Sequence, residues 1–268
     1  MTASPDARPD GPDRIAAEVD TLLSHMCEAL LDMAQSAGST LVSARLGSQR
    51  EALRTLALDA LAAVPLLDGA GFATAHPAVR QEATVDAPVA PGRTAASGDE
   101  AEVSTLDREI EWWMRDHTPG APRERTVRRE FDLDAGSDGF YAFDRMDWYT
   151  IPVRTGQVHL AGPYIDYLGV DEYILTLTVP LRAHDEIVGI AGFDITQGDL
   201  EGPLTPLLRR TASSLALVSG QGRVLLGNSA AMLPGDSVRA LPTARPLREL
   251  AAFDLTLWTA DEAVRPRP

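Results

Sequence analysis

The stretch FYAFDRMDWYTIPV, residues 140–153, places five aromatic residues, two aspartates and an arginine within fourteen positions. The whole chain is only 6% aromatic, so this is a strong local concentration. Aromatic faces attract cations, and carboxylates accept charge-assisted hydrogen bonds from ammonium groups. The composition therefore indicates a pocket for a small cation, and the alternative is an ordinary aromatic core with charges at its rim.

Two further aspartates stand in sequence contexts that could add to such a pocket. Asp194 lies within the apolar run GIAGFDI, and Asp166 ends the segment GPYID. Burying a carboxylate without a partner is costly, so Asp194 implies either a structural arginine or a cationic ligand. Asp166 is compatible with a ligand contact and with a turn residue that satisfies local backbone groups.

The sequence lacks the common signatures of catalysis. None of the five histidines stands at HExxH or HxxxH spacing, and neither a GxSxG elbow nor a GxGxxG or GxxxxGK[ST] loop occurs. Cys27 is the single cysteine, so an internal disulfide is impossible. We therefore expect a protein without catalytic activity, bound metal or cofactor.

The bulk composition is that of a globular protein with an acidic surface. The 268 residues are 44% hydrophobic and carry a formal net charge of −15. That charge disfavours nucleic acid and anionic membranes as partners and favours a cationic ligand. The first residues, MTASPDARPDGPD, lack the features of a secretory signal, and the apolar runs are short. We expect a soluble, cytoplasmic protein.

The first quarter of the chain has a helical pattern. After a disordered tail at residues 1–12, apolar residues recur at three- and four-residue steps from Ile15 to Ala37, with Asp13 as the expected N-cap. A second stripe follows a capping box at residues 48–51 and ends before Pro65. The helical region 13–65 predicts packing against the sheet or a homodimer. A third short helix, capped at residues 104–107, would carry Trp113 as a lid over the pocket.

From residue 129 the apolar pattern takes the period of strands, which include the aromatic segment. Residues 173–183 and 186–196 are the strongest, and a tight polar turn at His184 and Asp185 predicts an antiparallel hairpin. A helix at residues 200–213 separates this region from a smaller β unit at 215–229 and 253–259. Helices followed by antiparallel strands define an α+β fold.

Residues 140–196 resemble the ligand-binding module of the Cache (double-Cache, PAS-like) sensor domains of bacterial chemoreceptors and kinases. The resemblance rests on Tyr141, on Trp148 followed by Tyr149, on GPYID, and on Asp194 in GIAGFDI. It implies a PAS-like antiparallel sheet in a module spanning 66–200, a small α/β subdomain at 201–262 and a tail at 263–268.

One departure from the resemblance bears on the ligand. Where the amino-acid-binding Cache group has its carboxylate-binding arginine, this chain has Met146. In a strand, the neighbouring Arg145 would point to the opposite face. The resemblance therefore shifts towards amine-binding sensors and implies a small amine or polyamine. The alternatives are an amino-acid sensor that uses Arg145 for the carboxylate, or an enzyme of amine metabolism.

The predicted ligand contacts combine the acids and aromatics of these segments. They are Trp113, Tyr141, Asp147, Trp148, Tyr149, Tyr164, Asp166 and Asp194. Besides the amine ligand, we expect a homodimer through the N-terminal helices or a separate downstream regulatory protein as the route from binding to signal.

Overall fold

The computed structural model describes residues 11–43, 46–75, 108–165 and 173–260. Asp166 and the predicted 263–268 tail lie outside these ranges, as do all but the last two residues of the predicted N-terminal tail.

Two helices open the chain, as predicted. Helix α1 spans Pro12–Ser43 and α2 spans Leu46–Ala63. The apolar face of α1 is buried, and residues on it such as Ile15, Val19 and Leu30 are at most 1% exposed. The expected N-cap position of Asp13 is wrong, because proline suits the first helical position and α1 begins at Pro12, with Asp13 in its first turn. Similarly, α2 begins two residues before the expected capping box.

Six strands form one antiparallel sheet in the order β3-β2-β1-β6-β5-β4. The strands are β1 (Gly69–Ala75), β2 (Arg108–Arg115), β3 (Thr126–Arg129), β4 (His159–Ile165), β5 (Tyr173–Ala183) and β6 (Glu186–Thr196). The predicted hairpin of β5 and β6 is confirmed. Its turn residues His184 and Asp185 have φ values of 49° and 64°, as a two-residue turn that matches strand twist requires.

Both faces of this sheet are covered. Alternate residues of β5 and β6, such as Leu177 and Phe193, belong to the core that includes α1 and α2. The intervening residues point to the other face, which carries Thr176, Thr178 and Asp194 and is also buried. The alternation of leucine and threonine in β5 therefore does not mark a solvated face. The threonines face a second, smaller core that contains polar groups.

The predicted helix around Trp113 is wrong, because residues 108–115 form β2 between β1 and β3. In the strand, Ile110, Trp112 and Met114 share one face, while Trp113 joins the core on the helix side. Apolar residues at 110, 113 and 114 fit a helical face. They fit equally well a strand that is buried on both sides, and pairing with two neighbouring strands decides between them.

The aromatic segment is also not a strand. Residues Phe143–Arg145 form a 3₁₀ turn, and helix α3 spans Asp147–Thr155. Asp147 lies in the first turn, where a carboxylate interacts favourably with the helix dipole. Gly156, with a φ of 69°, provides the left-handed residue that ends α3. The strand argument that separated Arg145 from position 146 therefore does not apply.

A smaller second sheet follows helix α4 (Gln197–Leu208), and both the α+β class and this C-terminal β unit are confirmed. Its strands β7 (Ser214–Ser219), β8 (Val224–Gly227), β9 (Ala244–Glu249) and β10 (Leu255–Ala260) pair in the order β8-β7-β10-β9. Strand β9 was not predicted. Arg210, just after α4, donates to both carboxylate oxygens of Glu18 at 2.5 and 3.1 Å and ties this end of the chain to α1.

Glu111 of β2 forms ion pairs with the edge strand β3 and with helix α2. Its carboxylate is 2% exposed and accepts two hydrogen bonds from Arg128 of β3, both at 2.9 Å. Arg50 of α2 approaches the same carboxylate at 2.7 Å. Two guanidinium groups thus supply the charge and hydrogen bonds that a buried carboxylate requires.

We expect Glu111→Gln to lower the free energy of unfolding by about 1–3 kcal/mol, because it removes charge-assisted bonds at a buried position. The matched control is Glu51→Gln, which removes an exposed i,i+3 pair with Arg54 and should cost less than about 0.5 kcal/mol. Urea unfolding at constant m-value measures both. Equal losses in the two variants would show that the Glu111 cluster has no special role.

Candidate functional site

The site is built around the carboxylate of Asp194, which is 6% exposed on the face of the sheet that carries α3. Trp112 Nε1 donates to Oδ2 at 2.7 Å, and Thr176 Oγ1 donates to Oδ1 at 2.6 Å. Both donors are neutral groups, and together they orient the two carboxylate oxygens. The carboxylate is thus held in a defined orientation at a cavity with a largely aromatic and aliphatic lining.

Glycines make room for the indole that binds Asp194. A Cβ atom at Gly192 would lie 2.7 Å from Trp112 Cη2, and one at Gly71 would lie 2.7 Å from Cε3 of the same ring. At Gly69 a Cβ would meet Trp112 Nε1 at 2.9 Å and Asp194 Oδ2 at 3.0 Å. The ring therefore lies against backbone without side chains, and this explains Gly69, Gly71 and Gly192.

Tyr164 extends the hydrogen-bonded chain. Its hydroxyl is in short hydrogen-bonding contact with Thr176 Oγ1. Because the single Thr176 proton is directed at Asp194, the Tyr164 hydroxyl is the donor in this contact. The carboxylate, the threonine and the phenol thus form one connected network across β6, β5 and β4.

Aromatic side chains form the walls of a cavity of about 40 Å³ next to Asp194. Trp148, at the start of α3 and 7% exposed, lies with its ring centroid 6.2 Å from that of Trp112. Tyr141 stacks on Phe131, with 5.0 Å between the two ring centroids. The residues lining the cavity are Ile110, Trp112, Met114, Arg129, Phe131, Tyr141, Trp148, Tyr164, Ile174, Thr176 and Asp194.

A wider cleft of about 950 Å³ opens onto the same aromatic residues, since Tyr141, Trp148 and Tyr164 line both spaces. Arg145, Met146 and Asp147 line only this outer cleft and are exposed. Residues at the β7–β8 turn and beyond, including Arg223, form its far side. The inner cavity thus has its opening between α3, β4 and the small sheet.

The structure brings together four of the predicted contacts, namely Tyr141, Trp148, Tyr164 and Asp194. Asp147 stands at the outer cleft. Tyr149 is buried behind Trp148 in edge contact with Phe143, and it lines neither space. Trp113 lies on the opposite face of the sheet, because it directly follows Trp112 in β2. Asp166 lies outside the described residues.

Sequence reasoning missed Trp112, Thr176 and Arg129. Strand alternation in REIEWWMR would have placed Trp112 apart from Trp113, but the helical interpretation removed that signal. The sequence around Thr176, YILTLTVPL, shows only that threonines alternate with leucines along the strand. Arg129 follows directly after Arg128, and nothing in the sequence separates the arginine that binds Glu111 from the one that reaches the cavity.

A third buried carboxylate, that of Asp68, lies just before β1 and next to the site. Its backbone N–H donates to the carbonyl oxygen of Asp194 at 2.8 Å. Its Oδ1 is 2.7 Å from His117 Nε2. Burial raises the pKa of Asp68 above its ordinary value of 3.8, and the nearby His117 opposes that effect.

Comparison with known proteins confirms the resemblance to Cache sensor domains. Residues 126–202 match the family described as "Methyl-accepting chemotaxis protein-like, first PDC sensor domain". Over 91 residues the chain is 28% identical to the methyl-accepting chemotaxis protein TlpQ of Pseudomonas aeruginosa. That match covers 34% of this chain and 12% of TlpQ.

Solved structures share the fold over nearly the whole chain. "Methyl-accepting Chemotaxis protein X" has a TM-score of 0.57 at 16% identity, covering 92% of this chain and 94% of that one. The ligand-binding domain of the P. aeruginosa amino acid chemoreceptor PctC, in complex with GABA, has a TM-score of 0.53 at 15% identity. The match covers 93% of this chain and 97% of the PctC domain. That of the Pseudomonas fluorescens chemoreceptor CtaA, with L-valine, has a TM-score of 0.54 at 15% identity, covering 93% of each chain.

The fold is therefore that of chemoreceptor ligand-binding domains. Within the described ranges, each helix is too short or too polar to cross a membrane.

We expect Gly192→Ala to displace Trp112 and to lower the free energy of unfolding by about 1–3 kcal/mol, because the added methyl meets a rigid ring at 2.7 Å. Gly202→Ala in α4 is the matched control, since a Cβ there meets nothing within 4 Å. It should be neutral or stabilising. Unfolding with tryptophan fluorescence measures both, and an unchanged spectrum and stability in Gly192→Ala would contradict the described packing.

The raised pKa of Asp68 predicts a dependence of protein stability on pH. A folded-state pKa above 3.8 means that the folded protein holds the Asp68 proton more tightly than the unfolded chain does. The contribution of Asp68 to stability therefore falls as the pH rises from 3.8 through the folded-state pKa. We expect Asp68→Asn to become more stable relative to wild type as the pH rises from 3.8 towards neutral.

Urea unfolding across this pH range tests the Asp68 prediction, with Asp59→Asn on the exposed face of α2 as control. The control should keep a nearly constant difference from wild type. A wild type that instead gains on Asp68→Asn with rising pH would show that the His117 ion pair outweighs burial.

Proposed function

We propose that this chain is a ligand-binding sensor domain whose inner cavity holds the ammonium group of a small amine against Asp194. One observation carries the proposal. A carboxylate that is 6% exposed is oriented by the neutral donors Trp112 and Thr176 at the end of an aromatic cavity.

The charge of Asp194 favours a cation. A carboxylate forms its strongest hydrogen bonds with positively charged donors. A ligand ammonium supplies both an opposite charge and further donors, and such charge-assisted bonds are about twice as strong as neutral ones. Anionic ligands without an ammonium group would meet repulsion at the same position.

The aromatic walls favour the same ligand. Trp148 and Tyr141 line the cavity with Asp194, and their rings can face an alkylammonium group or its carbon chain. A cation–π contact contributes about 0.5–2 kcal/mol. Two such contacts and two ionic hydrogen bonds are compatible with micromolar affinity, about −8 kcal/mol.

The comparisons support a sensor for amine-bearing ligands. The structures of PctC and CtaA were determined with GABA and L-valine, and both ligands carry a primary amino group. TlpQ and the matched PDC family are named for chemotaxis.

Binding without chemical conversion is part of the same proposal, and recovery of unchanged ligand after long incubation tests it. Dimerisation through α1 and α2, or a downstream regulatory protein, remains the proposed route to a signal.

An amino-acid ligand is the second candidate, and the location of Arg145 bears on it. Arg145 is exposed and lines the outer cleft without lining the inner cavity. A carboxylate held by Arg145 would therefore lie outside the aromatic walls while the ammonium remained at Asp194. Loss of amino-acid binding in Arg145→Gln would support that arrangement.

We expect Asp194→Asn to weaken binding of n-butylamine about 10- to 100-fold, because the substitution keeps the side-chain shape and removes its charge. Calorimetric titration of the purified protein measures the affinity, and 1-butanol serves as the uncharged ligand of equal length.

Asp147→Asn is the matched control for this experiment, because Asp147 is exposed and lines only the outer cleft. Its affinity for n-butylamine should change less than about threefold, which corresponds to under 1 kcal/mol. Thermal unfolding of both variants establishes that they are folded. Equal binding in wild type and folded Asp194→Asn would overturn the proposed function.

A further inference from the structure

Asp68 and His117 form an ion pair next to the candidate site, and neither residue lines the inner cavity or the outer cleft. The Asp68 side chain is 1% exposed, and its Oδ1 lies 2.7 Å from Nε2 of His117. Its Oδ2 is buried and has no hydrogen-bond partner among the described residues. The His117 side chain is 41% exposed, so this imidazole connects a buried carboxylate to protons of the solvent.

The backbone of Asp68 is bonded to both strands that carry the centre of the site. Its N–H donates to the carbonyl oxygen of Asp194 in β6 at 2.8 Å, and its own carbonyl oxygen accepts from the N–H of Arg115 in β2 at 2.8 Å. The next residue, Gly69, lies directly opposite Asp194 in the sheet. A displacement of Asp68 would therefore also displace the backbone that positions the Asp194 carboxylate.

Further charged groups face this pair from β2, from residues 116–125 and from the first turn of α4, and they have other partners. The guanidinium of Arg115 donates to three backbone carbonyl oxygens. Arg123 donates to Asp199 of α4 at 2.7 Å, and Asp116 lies 2.9 Å from Arg125. Arginine and aspartate side chains normally keep their charge near neutral pH, whereas a histidine changes its charge between about pH 5 and 8. The imidazole is therefore the titrating group of this cluster near neutrality.

We infer that Asp68 and His117 position Asp194 in a proton-dependent manner: the protonated imidazole holds Asp68 against β6, and loss of its proton loosens this contact and lowers the affinity for the ligand. Both residues act through Asp194 and are positioning residues. The statement about affinity rests on the proposed function, whereas the statement about the contact between Asp68 and β6 can be tested without a ligand.

The direction of the pH effect follows from the charge of the imidazole. A hydrogen bond between an imidazolium and a carboxylate is about twice as strong as one between neutral groups. The ion pair is complete at the acidic end of the histidine range, and it is lost as the pH rises through that range. The buried Asp68 carboxylate then lacks a charged partner, which is costly. Affinity therefore falls as the pH rises, and by linkage ligand binding takes up a proton.

Hydrogen exchange of the backbone amides of Asp68 and Arg115 tests the contact without a ligand, because both amides donate the bonds that hold residue 68 in place. We expect their protection factors in the wild type to fall about tenfold between pH 6 and 8. His117→Lys keeps a positive charge and should show the same protection at both pH values. His117→Gln should show low protection at both. His25→Gln, which removes an exposed histidine from α1, is the control and should behave like the wild type.

Calorimetric titration with n-butylamine tests the effect on affinity. Such an amine stays protonated throughout this range, because its pKa is about 10.4. We expect the wild-type affinity to fall about fivefold or more between pH 6 and 8, and the affinities of His117→Gln and His117→Lys to stay within about twofold. Titration in buffers of different ionisation enthalpy should show proton uptake in the wild type and none in these variants. A proton change at Asp194 itself would persist in both variants. Thermal unfolding shows whether each variant is folded.

The outcomes separate this inference from the proposed function. If n-butylamine binds with the same affinity at pH 6 and 8, or if folded His117→Gln keeps the wild-type pH dependence, the amine site stands and the inference is wrong. If n-butylamine does not bind at either pH, the proposed function fails together with the statement about affinity. Hydrogen exchange then decides the remaining statement: protection that is independent of pH in the wild type overturns it, and a loss at pH 8 that His117→Lys prevents supports it.

Discussion

The burial of the Asp194 carboxylate is the constraint on which the site depends. A carboxylate at this position needs donors on both oxygens, and these come from Trp112 of β2 and Thr176 of β5. The indole can reach Asp194 only across β1, so β1 must have glycine wherever the ring lies. One buried carboxylate thus accounts for a tryptophan, a threonine, two glycines of β1 and one glycine of β6.

The two faces of the large sheet have different roles: one packs against the long helices, and the other carries the candidate site. On one face, the leucines of β5 and alternate residues of β6 pack with the long helices in an apolar core. On the other, α3 leaves space next to Thr176 and Asp194 instead of filling it. Neighbouring residues of each strand project from opposite faces of the sheet. Most polar side chains of the site therefore do not interrupt the apolar core on the helix side.

This division also explains what the sequence could and could not predict. The hairpin of β5 and β6, the helices α1 and α2 and the aspartate in an apolar strand follow from local patterns, which chain neighbours determine. The assignment of residues 108–115 failed because a strand that is buried on both faces gives an apolar pattern that also fits a helix. The assignment of 147–155 failed because nine residues are too few to separate the period of a helix from that of a strand. Trp112 could not be predicted as a partner of Asp194, since it meets that residue only through the pairing of strands that are far apart in the chain. Thr176 lies opposite Asp194 in the predicted hairpin, at a register that an irregularity between Leu181 and Arg182 shifts.

The attachment of Asp194 to the rest of the fold bears on how variants at the site are to be interpreted. Its side chain faces the cavity, whereas its backbone carbonyl accepts from Asp68 on the connection between α2 and β1. Arg115, at the end of β2, donates to the carbonyl oxygens of Leu61 in α2 and of Leu67 on the same connection. Ligand contacts and helix attachment therefore share β2 and β6. A change in affinity is evidence for a ligand contact only when stability and the position of α2 are unchanged, and charge-only substitutions such as aspartate to asparagine come closest to meeting that condition.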